Sequence, residues 1–201
     1  MTPRSATQPA RDRLLTAAGE LFYESGIAAT GVDAVLARAQ VAPATMYAHF
    51  AGKDGLVAAY LEQRYEVWRR TWDEVLAERT DPVDRLLSLF DAVTRYRERE
   101  RSRRGCGFLA AATELPADHP GQAWLQADSR LLTDRLRELA VAAGLADSDE
   151  AAATVLLCYD GALARSAREW TTPELHAGDP VQRARELAAA WLAMRGHTPA
   201  G

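Results

Sequence analysis

The sequence is poor in the residues that mark several large protein classes. Only two of its 201 residues are cysteines, Cys106 and Cys158, which is too few for a disulfide framework and predicts a reduced, cytoplasmic setting. No window approaches the roughly 18 consecutive apolar residues of a membrane span. Aromatic residues make up 7% of the chain and alternating Val, Ile and Thr runs are absent, which argues against a β-sheet protein.

Lysine is almost missing as well. Of the 24 basic residues 23 are arginine, and Lys53 is the single lysine. The formal net charge of −4 argues against a general nucleic-acid binder, because nonspecific affinity comes from basic surface that meets phosphate. Any DNA binding must therefore come from the placement of a few groups and from their duplication in a dimer.

Motifs of enzymes and metal sites are not found. The four histidines lie far apart in the sequence, and none belongs to an HExxH or Cys/His pattern. The sequence has no GxSxG motif, no Walker loop and no GxGxxG motif after a strand. We therefore expect neither catalysis nor a bound metal or other cofactor, and we expect both cysteines to be small buried apolar residues.

What is present favours helices throughout. Ala, Leu, Arg and Glu are abundant and apolar residues recur at helical spacing, so an all-α fold is predicted. Asp81-Pro82 and Asp179-Pro180 each supply a capping carboxylate followed by a proline in the first helical turn. Beyond the short elements discussed next, we expect long helices over residues 9–25, 53–79, 120–143, 148–170 and 179–195, with further helices after Pro82 and near Gly105.

Residues 26–56 carry the most informative pattern. They predict two short helices joined by a tight turn, followed by the start of a longer helix. Thr30 is predicted to cap the first, with Asp33 completing a capping box. Pro43 suits the first turn of the second. There Met46 and Phe50 should point inward, which leaves an outer face formed by Ala44, Thr45, Tyr47 and His49.

This stretch resembles the helix-turn-helix of the tetracycline-repressor (TetR) family of bacterial transcription regulators. The resemblance rests on Thr30-Gly-Val-Asp33, Val41-Ala-Pro-Ala-Thr-Met-Tyr-Ala-His-Phe50 and Lys53-Asp-Gly-Leu56, and covers roughly a quarter of the chain. It implies a recognition helix in the major groove of double-stranded DNA, beginning near Pro43. Pro43 and Ala44 would face bases, and phosphates would be contacted by Thr30, Thr45, Tyr47, His49 and Lys53.

Three departures from the family pattern affect stability. Gln40 stands where glycine is frequent, so a left-handed backbone there costs about 1 kcal/mol. Ala42 and Gly52 stand where capping side chains are frequent. We infer a marginally stable DNA-binding unit that phosphate oxygens help to complete, since open helix N-termini bind anions.

For the rest of the chain the resemblance implies a ligand-binding and dimerisation domain. Each aromatic residue there, taken singly, is explained by ordinary core packing. Taken together, they suggest a mostly apolar or aromatic small-molecule effector with one or two polar anchors. Alanine-rich stripes on the last two helices suggest a dimer interface, with intramolecular core as the alternative. The pocket candidates are Trp68, Trp72, Phe90, Phe108, Glu114, Trp124 and Tyr159, and the interface candidates are Val155, Ala162, Ser166, Trp170, Ala184, Ala188 and Trp191.

The predicted organisation is a polar arm (residues 1–8), a three-helix DNA-binding domain (9–55) and a larger helical domain (56–201). The predicted function is a cytoplasmic homodimeric regulator, most simply a repressor that leaves a palindromic operator when its effector binds. The alternative is a helical small-molecule-binding dimer without operator binding, motivated by the acidic balance and the missing caps. The arginine run Arg95–Arg104 is expected to be a frayed helix end in water, with a phosphate-facing role left open.

Overall fold

The computed structural model describes residues 9–100, 106–172 and 178–195. Within these ranges the chain forms nine α-helices and no strand, so the predicted all-α fold class is confirmed. The predicted long helices are found with ends that differ by at most about two residues. The helices are α1 (Ala10–Ser25), α2 (Val32–Ala39), α3 (Pro43–His49), α4 (Gly52–Ala77), α5 (Pro82–Glu100), α6 (Gly107–Glu114), α7 (Gln122–Ala142), α8 (Ser148–Thr171) and α9 (Pro180–Arg195).

The described residues divide into two compact units. The first unit contains residues 9–65 and 107–127, and the second contains residues 66–100, 106, 128–172 and 178–195. Helices α4 and α7 therefore contribute residues to both units. Residues 56–201 were predicted to form one domain, whereas α6 and the start of α7 group with the N-terminal helices. The predicted arm, residues 1–8, lies outside the described residues.

The first unit is built on α1, which packs against α2 and α3. Leu14, Val35, Met46 and Leu61 are almost completely buried and form part of its apolar interior. The Phe22 ring and the Tyr60 ring of α4 meet edge to face, with centroids 5.2 Å apart. Short helices with one apolar face each are thus held by a small shared core.

The second unit has the larger apolar core. Its helices α8 and α9 pack against each other and against α5. Trp72, Phe90 and Leu136 are among its fully buried side chains. The Trp72 indole N–H donates to the Ser88 hydroxyl at 3.0 Å, which satisfies its only polar atom.

Aspartate caps begin three helices of the second unit. The Asp81 carboxylate accepts from the Asp84 N–H at 2.9 Å, Asp147 from Glu150 at 2.8 Å, and Asp179 from Val181 at 2.9 Å. Both predicted Asp-Pro helix starts are therefore confirmed. Each cap satisfies a backbone N–H that the helix itself leaves open.

The first part of the arginine run is ordered helix rather than a frayed end. Arg95 remains in α5 and donates to both carboxylate oxygens of Glu78, at 2.7 and 2.6 Å. Arg99 pairs with Glu74 at 2.7 Å. Glu74 in the last turns of α4 and Glu78 just after that helix explain why α5 continues to Glu100. Residues 101–104 lie outside the described ranges.

Candidate DNA-binding surface

The turn between α2 and α3 has the geometry of a helix-turn-helix. Gln40 ends α2 in the left-handed conformation, with φ 55° and ψ 50°. The Val41 N–H then donates to the Leu36 carbonyl at 3.2 Å, which closes the end of the helix. The left-handed backbone that glycine would favour is thus adopted by a residue with a side chain.

Helix α3 has a buried face and a long exposed face. Met46 is fully buried and Phe50, which follows the helix, is nearly so. Tyr47 is 61% exposed, and Pro43, Ala44 and His49 are also exposed, whereas Thr45 is half-buried. The predicted inward and outward assignment is confirmed. We call the outer face, formed by Pro43, Ala44, Thr45, Tyr47 and His49, the reading surface.

Helix α3 begins without a side-chain cap. Ala42 is its N-cap residue in extended conformation, with Pro43 in the first turn, and no side chain accepts from the first N–H groups. Gly52 opens α4 with a φ of 76°. Open N–H groups at a helix start carry the positive end of the helix dipole, which attracts anions.

The predicted capping box at α2 is wrong. The N-cap residue is Gly31, and no side chain bonds to the first turn. The Thr30 hydroxyl instead donates to the Gly26 carbonyl at 2.7 Å and to the Leu21 carbonyl at 3.3 Å. Thr30 is only 4% exposed, because the tight turn after α1 uses its hydroxyl. This burial argues against the side-chain phosphate contact predicted for Thr30.

Lys53 has an intramolecular partner. Its ammonium group, on the first turn of α4, donates to the Ala28 carbonyl at 3.2 Å. An ammonium carries three N–H donors, so this bond leaves donors for a second acceptor. The structure thus shows Lys53 bound to the loop before α2.

A cation that the sequence analysis did not single out lies next to α3. The Arg11 guanidinium, on the exposed side of α1, stands 5.7 Å from the centroid of the Phe50 ring. Arg38, by contrast, is paired with Glu20 at 3.0 Å and with Glu24 at 3.5 Å. The residue pattern gave no signal for Arg11, because its neighbour Phe50 is far along the chain.

The seven residues predicted to line an effector pocket belong to different units. Trp68, Trp72, Phe90 and Tyr159 lie in the second unit, and Phe108, Glu114 and Trp124 lie in the first. The Trp124 ring packs on Tyr65 with centroids 5.6 Å apart. The Glu114 carboxylate accepts from the Ala28 N–H at 2.7 Å, and this contact replaces the effector-anchor role that the sequence suggested.

The predicted dimer stripe lies in the core of a single chain. Five of its members are buried there, so they are not free to face a partner. Trp191 is half-buried with the Arg195 guanidinium 5.2 Å from its ring centroid, and the Trp170 side chain lies outside the described part. The alternative of intramolecular core therefore replaces the interface assignment for Val155, Ala162, Ser166, Ala184 and Ala188.

Among residues 9–100, 106–172 and 178–195, no group of three or more His, Cys, Asp or Glu side chains is arranged to hold a metal ion. In the same ranges no helix has the length and apolar content to cross a membrane.

The arrangement of α1 to α3 defines a helix-turn-helix protein, with a short helix presented on a supporting pair. Residues 14–60 match the family model described as bacterial regulatory proteins, tetR family. Over these residues the chain carries the helix-turn-helix of the TetR family of transcriptional regulators, whose members are transcription factors.

Similarity to individual curated proteins covers only part of the chain. The transcriptional regulator UidR of Escherichia coli K12 is 35% identical over 63 residues, or 31% of this chain and 32% of UidR. The repressor KstR2 of Mycolicibacterium smegmatis is 31% identical over 94 residues, or 46% of each chain. The matches thus span less than half the length of these curated relatives.

Solved structures of TetR-family regulators resemble nearly the whole chain. One of them is the TetR-family regulator SCO4454 of Streptomyces coelicolor, with a TM-score of 0.80 and 28% identity. The similarity covers 94% of this chain and 96% of that one. The similarity in fold therefore extends beyond the N-terminal helices.

Proposed function

We propose that the protein is a homodimeric transcription regulator, most simply a repressor, that binds a palindromic operator through α3. The observation that carries this proposal is the reading surface. A short helix with a fully buried Met46 on one face and exposed polar and small residues on the other is suited to the major groove. We place its action in the cytoplasm, as the low cysteine content of the sequence suggests.

We assign the contacts by chemistry. Pro43 and Ala44, at the start of α3, are small apolar residues suited to base edges and thymine methyl groups. Thr45, Tyr47 and His49 carry donors suited to phosphates. Arg11 adds a guanidinium beside the end of α3, and the remaining N–H donors of Lys53 can bind phosphate while Ala28 is held.

Dimerisation is proposed through the outer faces of α8 and α9. Leu157 on α8 is 74% exposed, and Leu187 and Met194 on α9 are 60% and 71% exposed. Large apolar side chains left in water on neighbouring helices are typical of a surface that a partner covers. A two-fold dimer would present two α3 helices to half-sites about 34 Å apart.

We propose that the effector binds near Trp68 in the second unit. The Trp68 ring lies 5.9 Å from Trp72, 5.8 Å from Tyr96 and 6.3 Å from Tyr159, measured between centroids. Its buried indole N–H finds no acceptor among the described residues. Burial, with Cys106 and Asp128 nearby, raises the pKa of the Tyr159 hydroxyl well above its ordinary value, so that hydroxyl stays protonated. An apolar or aromatic effector with a hydrogen-bond acceptor fits these groups.

The effector can release DNA only by binding the non-DNA-binding arrangement more tightly.

A second candidate function, a small-molecule-binding dimer without operator binding, is favoured by the net charge of −4. The two candidate functions differ in what they predict for selection of DNA from a random-sequence library: a regulator recovers a preferred sequence, whereas a dimer without operator binding recovers none.

The test is selection of DNA from a random-sequence library by the full chain. We expect a palindromic consensus, and Arg11→Ala should lower the salt slope of binding by about one unit, or about two for a dimer. Arg130→Ala, which removes an exposed arginine of α7, is the matched control and should leave the slope unchanged. Recovery of no preferred sequence would favour the second candidate.

A further inference from the structure

The peptide groups on either side of Ala28 are held by two charged side chains. The Ala28 N–H donates to the Glu114 carboxylate at 2.7 Å, and the Ala28 carbonyl accepts from the Lys53 ammonium at 3.2 Å. Ala28 lies in the loop between α1 and α2, and both of its side-chain partners come from outside that loop. Glu114, at the end of α6, is 86 residues further along the chain.

The shape of the loop admits the carboxylate. Gly26 has a φ of 89°, and a Cβ built on it would stand 3.2 Å from a Glu114 oxygen. A side chain at position 26 would therefore strain the backbone and crowd Glu114. The Thr30 hydroxyl then ties the far side of the loop to the Gly26 carbonyl at 2.7 Å. Three hydrogen bonds thus fix the entry to α2.

A second contact joins the segment that carries Glu114, residues 107–127, to α4. His119 is buried, and its Nδ1 accepts from the Gly121 N–H at 2.9 Å, which leaves the proton on Nε2 in the neutral ring. That Nε2 lies 3.5 Å from the Asp54 carboxylate, next to Lys53 in sequence. Residues 107–127 therefore meet the helix-turn-helix at the loop before α2 and at the first turn of α4.

We infer that Glu114 is a positioning residue for operator binding. Its carboxylate sets the loop of residues 26–31, which in turn sets α2 beneath α3 and the reading surface. The inference rests on the proposed function, since the position of α3 affects operator binding only if α3 contacts DNA. Glu114 itself touches no base or phosphate in this account.

The chemistry of the contact supplies a matched pair of variants. Glu114→Ala and Glu114→Gln both remove one negative charge, but only glutamine keeps an oxygen that can accept from the Ala28 N–H. Loss of a negative charge close to DNA would by itself tighten binding, which is opposite to the loss expected for alanine. The comparison of alanine with glutamine therefore isolates the hydrogen bond at constant charge.

The experiment uses the full chain and DNA selected by the unmodified protein. We expect Glu114→Ala to bind that DNA about tenfold more weakly with an unchanged salt slope, and Glu114→Gln to restore most of the affinity. Asp118→Ala, which removes a nearby exposed carboxylate, should not weaken binding. Equal loss for alanine and glutamine, or no loss for either, would overturn the inference.

Amide hydrogen exchange of Ala28 provides a readout without DNA. Exchange should accelerate about tenfold in Glu114→Ala and stay slow in Glu114→Gln, because only alanine leaves the N–H without its acceptor. Unchanged exchange in the alanine variant would contradict the contact itself. If the unmodified chain selects no DNA while exchange behaves as expected, the proposed function fails together with the positioning role, and the loop contact alone survives.

Discussion

The two units begin their helices in different ways. In the second unit, Asp81, Asp147 and Asp179 cap α5, α8 and α9 through their carboxylates. In the first unit, α1, α2 and α3 start at Pro9, Gly31 and Ala42 with no side-chain cap. Caps contribute about 1 kcal/mol each, so the first unit gives up stability that the second keeps. The open N–H groups of the first unit remain available as hydrogen-bond donors to phosphate oxygens.

The interiors of the two units also differ, and again the second unit has the more stabilising arrangement. The second unit encloses Trp72 and Phe90 in a continuous apolar cluster. The first unit relies partly on hydrogen bonds at its loop, where Thr30, Glu114 and Lys53 hold the chain. Apolar burial is insensitive to small shifts, whereas hydrogen bonds demand position. The second unit is thus stabilised mainly by apolar burial, whereas the first unit depends more on the relative positions of hydrogen-bonding groups.

Removal of the largest buried side chain should break the second unit. Trp72→Ala should lower the free energy of unfolding by about 3–5 kcal/mol, because it leaves a cavity and an unpaired Ser88 hydroxyl. Chemical denaturation measures the change. Val141→Ala, at a position 62% exposed, is the control and should change stability by less than about 0.5 kcal/mol. A loss below about 1 kcal/mol for Trp72→Ala would contradict the comparison of the two cores.

A charge on α8 should act differently on its two faces. Ala162 is 5% exposed, so Ala162→Asp should destabilise the fold by several kcal/mol, as expected for an unpaired buried carboxylate. Leu157→Asp should keep the helical circular dichroism and yield monomers in sedimentation. A Leu157→Asp variant that still sediments as a dimer would move the interface away from the exposed face of α8.

The strained turn should be relieved by glycine. Gln40→Gly should raise the free energy of unfolding by about 1 kcal/mol, because glycine adopts φ 55° without a Cβ penalty. Ala37→Gly, three residues earlier in the exposed interior of α2, should lower it by about the same amount. Thermal unfolding separates the two, and a destabilising Gln40→Gly would mean that the Gln40 side chain has a stabilising role.

The smallest effect concerns Glu78 and pH. Its hydrogen bonds with Arg95 hold the pKa of the Glu78 carboxyl below its ordinary value of 4.5. A lowered folded-state pKa stabilises the protein above 4.5 and ceases to do so as the pH falls through the folded value. Glu78→Gln should therefore lower Tm slightly at neutral pH, with the difference shrinking in acid. Glu98→Gln, three residues after Arg95 on α5, removes an exposed carboxylate outside this ion pair and serves as the control.

Local pattern predicted the helices well. The Asp81-Pro82 and Asp179-Pro180 pairs located the starts of α5 and α9. The outer face of α3 was predicted from the spacing of Met46 and Phe50 alone. These features depend on residues a few positions apart, which a single sequence displays directly.

Other features depend on what lies across the fold. Helical periodicity marks Ala162 and Ala188 as belonging to a buried face, but it cannot tell whether the same chain or a partner buries that face. Thr30 has the residue type of a cap, yet the turn after α1 takes its hydroxyl. Glu114 bonds to a backbone group 86 residues away, and no spacing rule connects them.

Lys53 carries the only side-chain primary amine in the sequence. Acylating reagents that spare guanidinium groups therefore have one lysine target, beside the loop that precedes α2. The rate of modification at this position would report how often the contact with Ala28 opens. Protection by DNA at the same atom would provide a footprint of operator binding without any introduced label.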